Sequence, residues 1–360
     1  MITADDVDGL AARDWQQADA EDGPVRVAMI GIGWWTRDRA IPAAEASELC
    51  ETTVAVSSSI EKAADAVEGH PTIDEAITYE EFHEGAASEA YDAVYIATPN
   101  AVHPQYAETA AELGKAILCE KPMADRTDRA AEMLEATQGT TLMIAYRMHT
   151  EPIVRRMREL VQQGFVGEVV EIRGRMSQRL LEMIPDPDQW RLDPDLSGYG
   201  ASVMDLGIYP LNTARFVLDS DPERVQASMY SVSENFAAVP DERASFLLDF
   251  PNGAVASCAA SQNAFKDDRF VVIGTEGSLR MRNAFHSGDG RELVLERDGA
   301  RTTLDVEPVD QMVEEFDYFA DRVLRGETPH PDGEHGLFDM RALEAIYAAA
   351  ERDEPVPIDA

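Results

Sequence analysis

The chain has 360 residues, a net charge of −37 from 68 acidic and 31 basic side chains, and a hydrophobic fraction of 44%. That length exceeds one ordinary core, and the apolar content suffices for two. The charge argues against nucleic acid as a partner, since phosphate contacts need basic patches, and no apolar run approaches the ~20 residues of a membrane helix.

The carboxylates spread along the whole chain, and only four lysines occur, Lys62, Lys115, Lys121 and Lys266. A cytosol of molar salt explains both. There the Debye length is ~3 Å, so self-repulsion is screened. Residues 1–24 are acidic and carry no basic region before an apolar stretch, so they read as a flexible extension rather than a secretory signal. Cys50, Cys119 and Cys258 are scattered and read as reduced thiols of a cytoplasmic protein. No His/Cys cluster has ligand spacing, so no metal is expected.

Strand-like and helix-like runs alternate from residue 25 to 147. "VRVAMI", "TTVAVSSS", "YDAVYIATPN", "AILCEKPM" and "TLMIAYRM" are apolar strand runs, with "IEKAADAVE", "VHPQYAETAAELGK" and "DRTDRAAEMLEATQ" as the helices between them. That pattern predicts a parallel sheet covered on both faces. After the helix "TEPIVRRMRELVQQG", hairpin turns at Pro251-Asn252-Gly253, Thr275-Glu276-Gly277 and Asp298-Gly299 predict a mostly antiparallel sheet. Further helices are expected at "GASVMDLGIYPLNTARFVL", "DQMVEEFDYFADRVLRG" and "MRALEAIYAAAERD". The fold expectation is α/β, with domains at 25–147 and 148–360. The C-terminal helix is free to pack back on the first domain.

Chemistry concentrates at strand ends. Gly31-Ile32-Gly33-Trp34-Trp35-Thr36 follows the first strand, where glycines permit a tight turn and let a pyrophosphate approach a helix N-terminus. Thr36 replaces the usual third small residue, and a purely structural glycine turn is the alternative. The second strand ends in Ser57-Ser58-Ser59, without the acid that usually binds the ribose of NAD. Those serines with Lys62, Arg37 or Arg39 can hold a 2′-phosphate, or they are plain turn residues. Thr98, Pro99, Asn100 and His103 follow the next strand, and Glu120 and Lys121 the one after, so Lys121 should point into the ligand crevice.

With "GIGWWT", "YIATPNAVH", "CEKPM", "AYRMHTEP" and "GASVMDLGIYPLN" in this order, the chain resembles the family of glucose–fructose oxidoreductase, inositol dehydrogenase and rhizopine-catabolism oxidoreductases. The likeness spans nearly everything after residue 24. Within the family it is strongest to the NADP-dependent D-xylose dehydrogenases of halophilic archaea. The resemblance implies a Rossmann domain followed by an α+β domain with a large open sheet. It implies NADP, with NAD weaker, and oxidation of an aldose at C1, D-xylose being the first candidate. It also implies catalytic roles for Lys121, Asp205 and Tyr209. Tyr209 would be the general base, with Lys121 favouring its phenolate.

Asp205 and Tyr209 are four apart on one predicted helix, with Asn212 a turn on, so all three are candidates to meet the sugar. Trp190-Arg191 either meets the cofactor or forms a stacked structural pair. Arg147 either faces the cleft or braces the domain junction. His103 either touches the cofactor or merely opens a helix. Tyr199, in "SGYGA" where many relatives have a glycine triplet, bears on the sugar pocket. The alternatives to an aldose dehydrogenase are an inositol or diol dehydrogenase and a non-catalytic sugar or dinucleotide sensor. The strands "FLLDF" and "AVASCAAS" are more apolar than one solvated face requires. In the family that sheet face makes a homodimer or homotetramer.

Overall fold

The computed structural model describes residues 2, 13–67, 69–286, 290–305 and 308–359. The chain divides into two compact units, Arg13–Arg147 with Asp310–Leu337 and Met148–Val309 with Phe338–Ala360.

The first unit is built on β1 (Val25–Ile30), β2 (Cys50–Ser57), β3 (Glu75–Thr78), β4 (Ala93–Ile96), β5 (Ala116–Cys119) and β6 (Leu142–Ile144). All neighbours pair in parallel, in the order β3-β2-β1-β4-β5-β6. The strands are apolar without alternation because both faces are covered, and every residue of β4 is buried. Strand order reverses between β1 and β4, which opens a crevice at the carboxyl ends of those strands.

Two segments differ from the sequence expectation. The helix Gln311–Arg325 falls in the second domain by chain order alone. Its Met312, Phe316 and Phe319, spaced along one face, instead join the core around Met29, Tyr95 and Leu118. The acidic stretch from Arg13 to Pro24 packs on the first unit. Trp15 enters the same core, edge-on to Tyr318 at 5.2 Å. The amides of Gln17 and Ala18 each donate to Asp321 Oδ1 at 2.7 Å. A charged composition hid one aromatic anchor.

The second unit carries β7 (Val169–Arg179), β8 (Arg224–Tyr230), β9 (Arg243–Asp249), β10 (Val255–Ser261), β11 (Asn263–Gly274), β12 (Gly277–Arg282), β13 (Glu292–Arg297), β14 (Ala300–Asp305) and β15 (Val356–Pro357). Their order is β14-β13-β12-β11-β7-β10-β9-β8-β15. Pairing is antiparallel throughout except between β7 and β10. In β9 the inward Ala244, Phe246 and Leu248 are buried, and the residues between them face out. The helix Ile208–Leu218 crosses β7 at Gly174, where an added Cβ would come within 2.4 Å of Pro210 Cβ. That approach needs a glycine.

Candidate active site

In the first unit, the turn after β1 is shaped by Gly31. Its φ is +96°, and a Cβ there would lie 2.7 Å from the Ala97 carbonyl. Only glycine fits both demands. Gly33 has nothing within 4 Å of its missing Cβ, so the turn offers bare backbone to a ligand. Ile32 is buried. The Thr36 hydroxyl donates to the Gly31 carbonyl at 2.5 Å, which explains why a small polar residue replaces the third glycine.

Thr98, at the end of β4, is buried, and its Oγ1 has no hydrogen-bond partner among the described residues. An orphaned buried hydroxyl beside a glycine cradle at a strand switch point fits a bound dinucleotide. Pro99 is half-buried, and the buried Asn100 opens the turn Asn100–Val102. Ser57 is buried at the end of β2, whereas Ser58 and Lys62 are exposed beside it. No carboxylate stands at Ser57 to Ser59 to repel a 2′-phosphate.

His103 does not present a free ring edge. It is fully buried, with Nε2 2.9 Å from the Thr98 carbonyl and Nδ1 3.1 Å from the Pro122 carbonyl. It ties the β4 loop to the β5 loop instead of offering a nitrogen to a cofactor. Burial pushes its pKa down, against the pull of those carbonyls.

Glu120 is likewise taken up internally. Its Oε1 accepts the Tyr95 hydroxyl at 2.7 Å and Trp35 Nε1 at 3.1 Å, and its Oε2 accepts the Lys121 amide at 3.2 Å. Trp35 is thereby fixed, with Trp34 edge-on to it at 5.6 Å and exposed. Lys121 follows, half-buried, at the strand end. Arg147 is buried and donates to Gln311 Oε1. Beside it lies Glu315, which sequence reading missed. Burial and the charge of Glu120 push that carboxyl well above the usual range against the pull of Arg147.

The second unit gathers another set. Asp205 lies in a π-helical turn, Val203–Gly207, and Tyr209 opens the helix Ile208–Leu218. Such turns are rare and recur at functional sites. Asp205 Oδ2 accepts Gln262 Nε2 at 2.7 Å and Arg191 Nε at 3.3 Å. The Arg191 guanidinium stacks 4.4 Å over Trp190. Trp190 and Arg191 therefore form a stacked pair that also serves Asp205. Tyr209 is half-buried, its ring 5.8 Å from that of Phe285.

Asn212 departs from expectation. It is buried, with Nδ2 donating to Asp339 at 2.7 Å and Oδ1 2.8 Å from His149 Nε2. A helix turn beyond Tyr209 points back into the core, so Asn212 braces the helix rather than reaching a sugar.

The start of this helical segment is clamped. Asp241 accepts the amides of Ala201 and Val203 at 2.7 Å and the Tyr347 hydroxyl at 2.6 Å. Gly200 is required there, because a Cβ would lie 2.3 Å from Asp241 Oδ1. Tyr199 stacks, tilted, on Tyr347 at 5.7 Å. Sequence reading missed Asp241, Tyr347 and Gln262. The one available signal was a glutamine closing the apolar alternation of β10. Among the described residues no group of three or more His, Cys, Asp or Glu side chains could hold a metal ion.

Two family models match this chain. One, described as an oxidoreductase family with an NAD-binding Rossmann fold, covers residues 25–147; the other, the GFO/IDH/MocA C-terminal domain, covers 154–280. The chain belongs to the Gfo/Idh/MocA family of oxidoreductases. It is 55% identical over 353 residues, 98% of each chain, to the D-xylose 1-dehydrogenase [NADP(+)] of Haloarcula marismortui. It is 35% identical to D-xylose 1-dehydrogenase (NADP(+)) 2 of Haloferax volcanii, over 89% of this chain and 95% of that one. Among solved structures, the aldose-aldose oxidoreductase of Caulobacter crescentus in complex with glycerol superposes with a TM-score of 0.87 at 30% identity, covering 93% of this chain and 99% of that one. The family fold thus accounts for both the parallel dinucleotide-type sheet and the mixed sheet after it.

Proposed function

We propose that this chain oxidises an aldose at C1 with NADP, and that its substrate is D-xylose, released as D-xylonolactone. The observation that carries the reading is the 55% identity over 98% of both chains to an NADP-dependent D-xylose 1-dehydrogenase. The presence of Lys121, Asp205 and Tyr209 together supports it.

NADP, when bound, supplies the hydride acceptor. The bare backbone at Gly31 and Gly33 and the Thr98 hydroxyl would hold its phosphates and ribose, and Trp34 offers a stacking face. Ser57, Ser58 and Lys62 would meet the 2′-phosphate. NAD would bind more weakly, because no carboxylate rewards a free 2′-hydroxyl.

Tyr209 removes the proton of the anomeric hydroxyl. Lys121 serves to stabilise the developing oxyanion. Asp205 accepts a sugar hydroxyl and orients the ring. The enzyme works in a high-salt cytoplasm, as the charge of −37 suggests. Among the described residues no helix is long and apolar enough to cross a membrane. It assembles as a homodimer or homotetramer through the outer face of the second sheet. Tyr230 and Leu247, which alternate with the buried Val225, Ala227, Phe246 and Leu248, stand exposed and support that face.

The test is NADPH absorbance with D-xylose and a panel of aldoses, inositols and diols in molar KCl. D-xylose with NADP should give the highest kcat/KM. Tyr209→Phe and Lys121→Met should each lower kcat by at least 100-fold, about 2.7 kcal/mol, and leave NADP affinity within a factor of about three. Either variant retaining a tenth of the wild-type kcat would overturn its assigned role.

A further inference from the structure

Gln262 is the single residue between β10 and β11, and it is fully buried. Its N–H donates to Ser202 Oγ at 2.9 Å and to the Glu242 carbonyl at 3.2 Å. Its own carbonyl accepts the Leu180 amide at 2.8 Å. The backbone is therefore fixed on both sides, and only the side chain remains to be oriented.

That orientation is dictated by chemistry. An ionised carboxylate has no proton to give, so the Gln262 atom 2.7 Å from Asp205 Oδ2 must be Nε2. Its Oε1 then faces Gln178 Nε2 at 2.9 Å, and both glutamines are buried. Donors run one way, from Gln178 to Gln262 to Asp205. Reversing either amide would set two donors or two acceptors against each other. Arg191 reaches the same Oδ2 from its own turn at 3.3 Å.

Charged groups on the adjoining segments have partners of their own. Asp241 is held by Tyr347 and two helix amides, and Glu242 by the amides of Val232 and Ser233. Arg243 reaches Glu242 at 3.4 Å, and Arg179 pairs with Glu182 at 2.8 Å. Gln262 is a neutral, fully buried donor to Asp205.

We propose that Gln262, oriented by Gln178, is a positioning residue that aims the Asp205 carboxylate as the acceptor of a sugar hydroxyl. The inference rests on the reading that Asp205 meets the sugar. It assigns aldose affinity in part to a residue that touches neither sugar nor coenzyme.

The experiment uses the full chain in molar KCl, with kcat and KM for D-xylose followed from pH 6 to 9.5. Gln262→Leu should raise the sugar KM by roughly ten- to a hundred-fold, the effect of one lost buried bond to a charged group, with NADP affinity unchanged. Gln262→Glu has nearly the same shape and keeps the test available if the leucine variant does not fold. While the introduced carboxyl is protonated, it donates to Asp205 as the glutamine amide does. Once it ionises, two carboxylates face each other, so kcat/KM should fall on an alkaline limb absent from wild type. A residue that only fills space would leave the pH profile unchanged.

Gln262→Glu with a wild-type pH profile, or Gln262→Leu with a wild-type sugar KM, overturns the proposal. Asp205→Asn separates the two levels. If that variant keeps wild-type kinetics, the reading of the site has failed. If it loses the sugar while both Gln262 variants match wild type, only the positioning role has failed.

Discussion

The two sheets hold their candidate groups by different means. In the parallel sheet the strands are buried on both faces, so polar groups emerge only where strands end. Gly31, Thr98, Glu120, Lys121 and Arg147 all lie within a few residues of a strand's carboxyl end. The backbone itself positions them. In the antiparallel sheet the candidate groups ride on a helical segment, and side chains from distant strands and helices hold that segment in place. Gln262 is 57 residues from Asp205, and Tyr347 is 106 from Asp241. A site fixed by backbone geometry is compact in sequence, and a site fixed by side-chain bracing is dispersed.

Two glycines can break this comparison. Gly31→Ala places a side chain at φ +96° with its Cβ 2.7 Å from the Ala97 carbonyl, in the turn that would receive the coenzyme. The conformation alone costs about 1–2 kcal/mol, and NADP affinity should fall by at least 100-fold in a fluorescence titration. Gly200→Ala drives a Cβ to 2.3 Å from Asp241 Oδ1 and 2.7 Å from the Tyr347 hydroxyl. Overpacking there should cost about 1–3 kcal/mol and lower kcat, while NADP titrates as in wild type. If Gly200→Ala weakened NADP as much as Gly31→Ala, the two units would not divide their tasks in this way.

Asp241 and Glu242 sharpen the contrast within the second unit, because adjacent carboxylates shift in opposite directions. Burial pushes Asp241 up to about 6, although the Tyr347 hydroxyl and the helix amides pull it down. Burial also acts upward on Glu242, but the amides of Val232 and Ser233, with Asn263 and the Ser233 hydroxyl, outweigh it and hold that group at about 2. For Asp241 the folded value exceeds the ordinary 3.8. Its contribution to stability is therefore full below about pH 4 and lost as pH rises through about 6. For Glu242 the contribution is present above about 4.5 and lost as pH falls through about 2. Denaturant unfolding of wild type and Asp241→Asn in molar KCl isolates the first effect. The variant's stability relative to wild type should rise by about 2 kcal/mol between pH 4 and pH 7. A flat difference would mean that Asp241 titrates normally and that the clamp tolerates its charge.

The same contrast governs how much the sequence reveals. The glycine turn, the acid-free end of β2 and the "CEKP" strand end are legible because strand periodicity places them without reference to anything distant. Asp205 and Tyr209 are singled out by the family resemblance, and their spacing of four adds only that they share a helix stripe. Asn212 is misplaced by the same spacing, which says which residues share a stripe but not which end of it is buried. Gln262, Asp241 and Tyr347 leave almost no local trace, since a buried polar residue is recognisable only by partners that the fold supplies. His103 shows the converse. A histidine at a strand end looks chemical in sequence, yet both ring nitrogens here face backbone carbonyls.

The parallel-sheet unit has one blind spot of its own, and it yields the smallest expected effect. Residues 13–24 read as a flexible acidic extension, but Arg13 donates to Glu314 at 2.9 Å and lies 2.8 Å from Asp317 Oδ2. Glu314 and Asp317 sit on one helix with Asp321, so Arg13 relieves repulsion between like charges on a buried face. Arg13→Ala takes the ion pair from Asp317 Oδ2 but leaves Oδ1 with the Ser47 hydroxyl and the amides of Glu48 and Leu49, so the charge keeps three donors. The loss should therefore be modest, about 1–2 kcal/mol by urea unfolding in molar KCl. The KM for sugar and for coenzyme should not change. A variant as stable as wild type would mean that the segment after Arg13 is a tether whose packing adds nothing, and that Trp15 rests on the core without contributing to it.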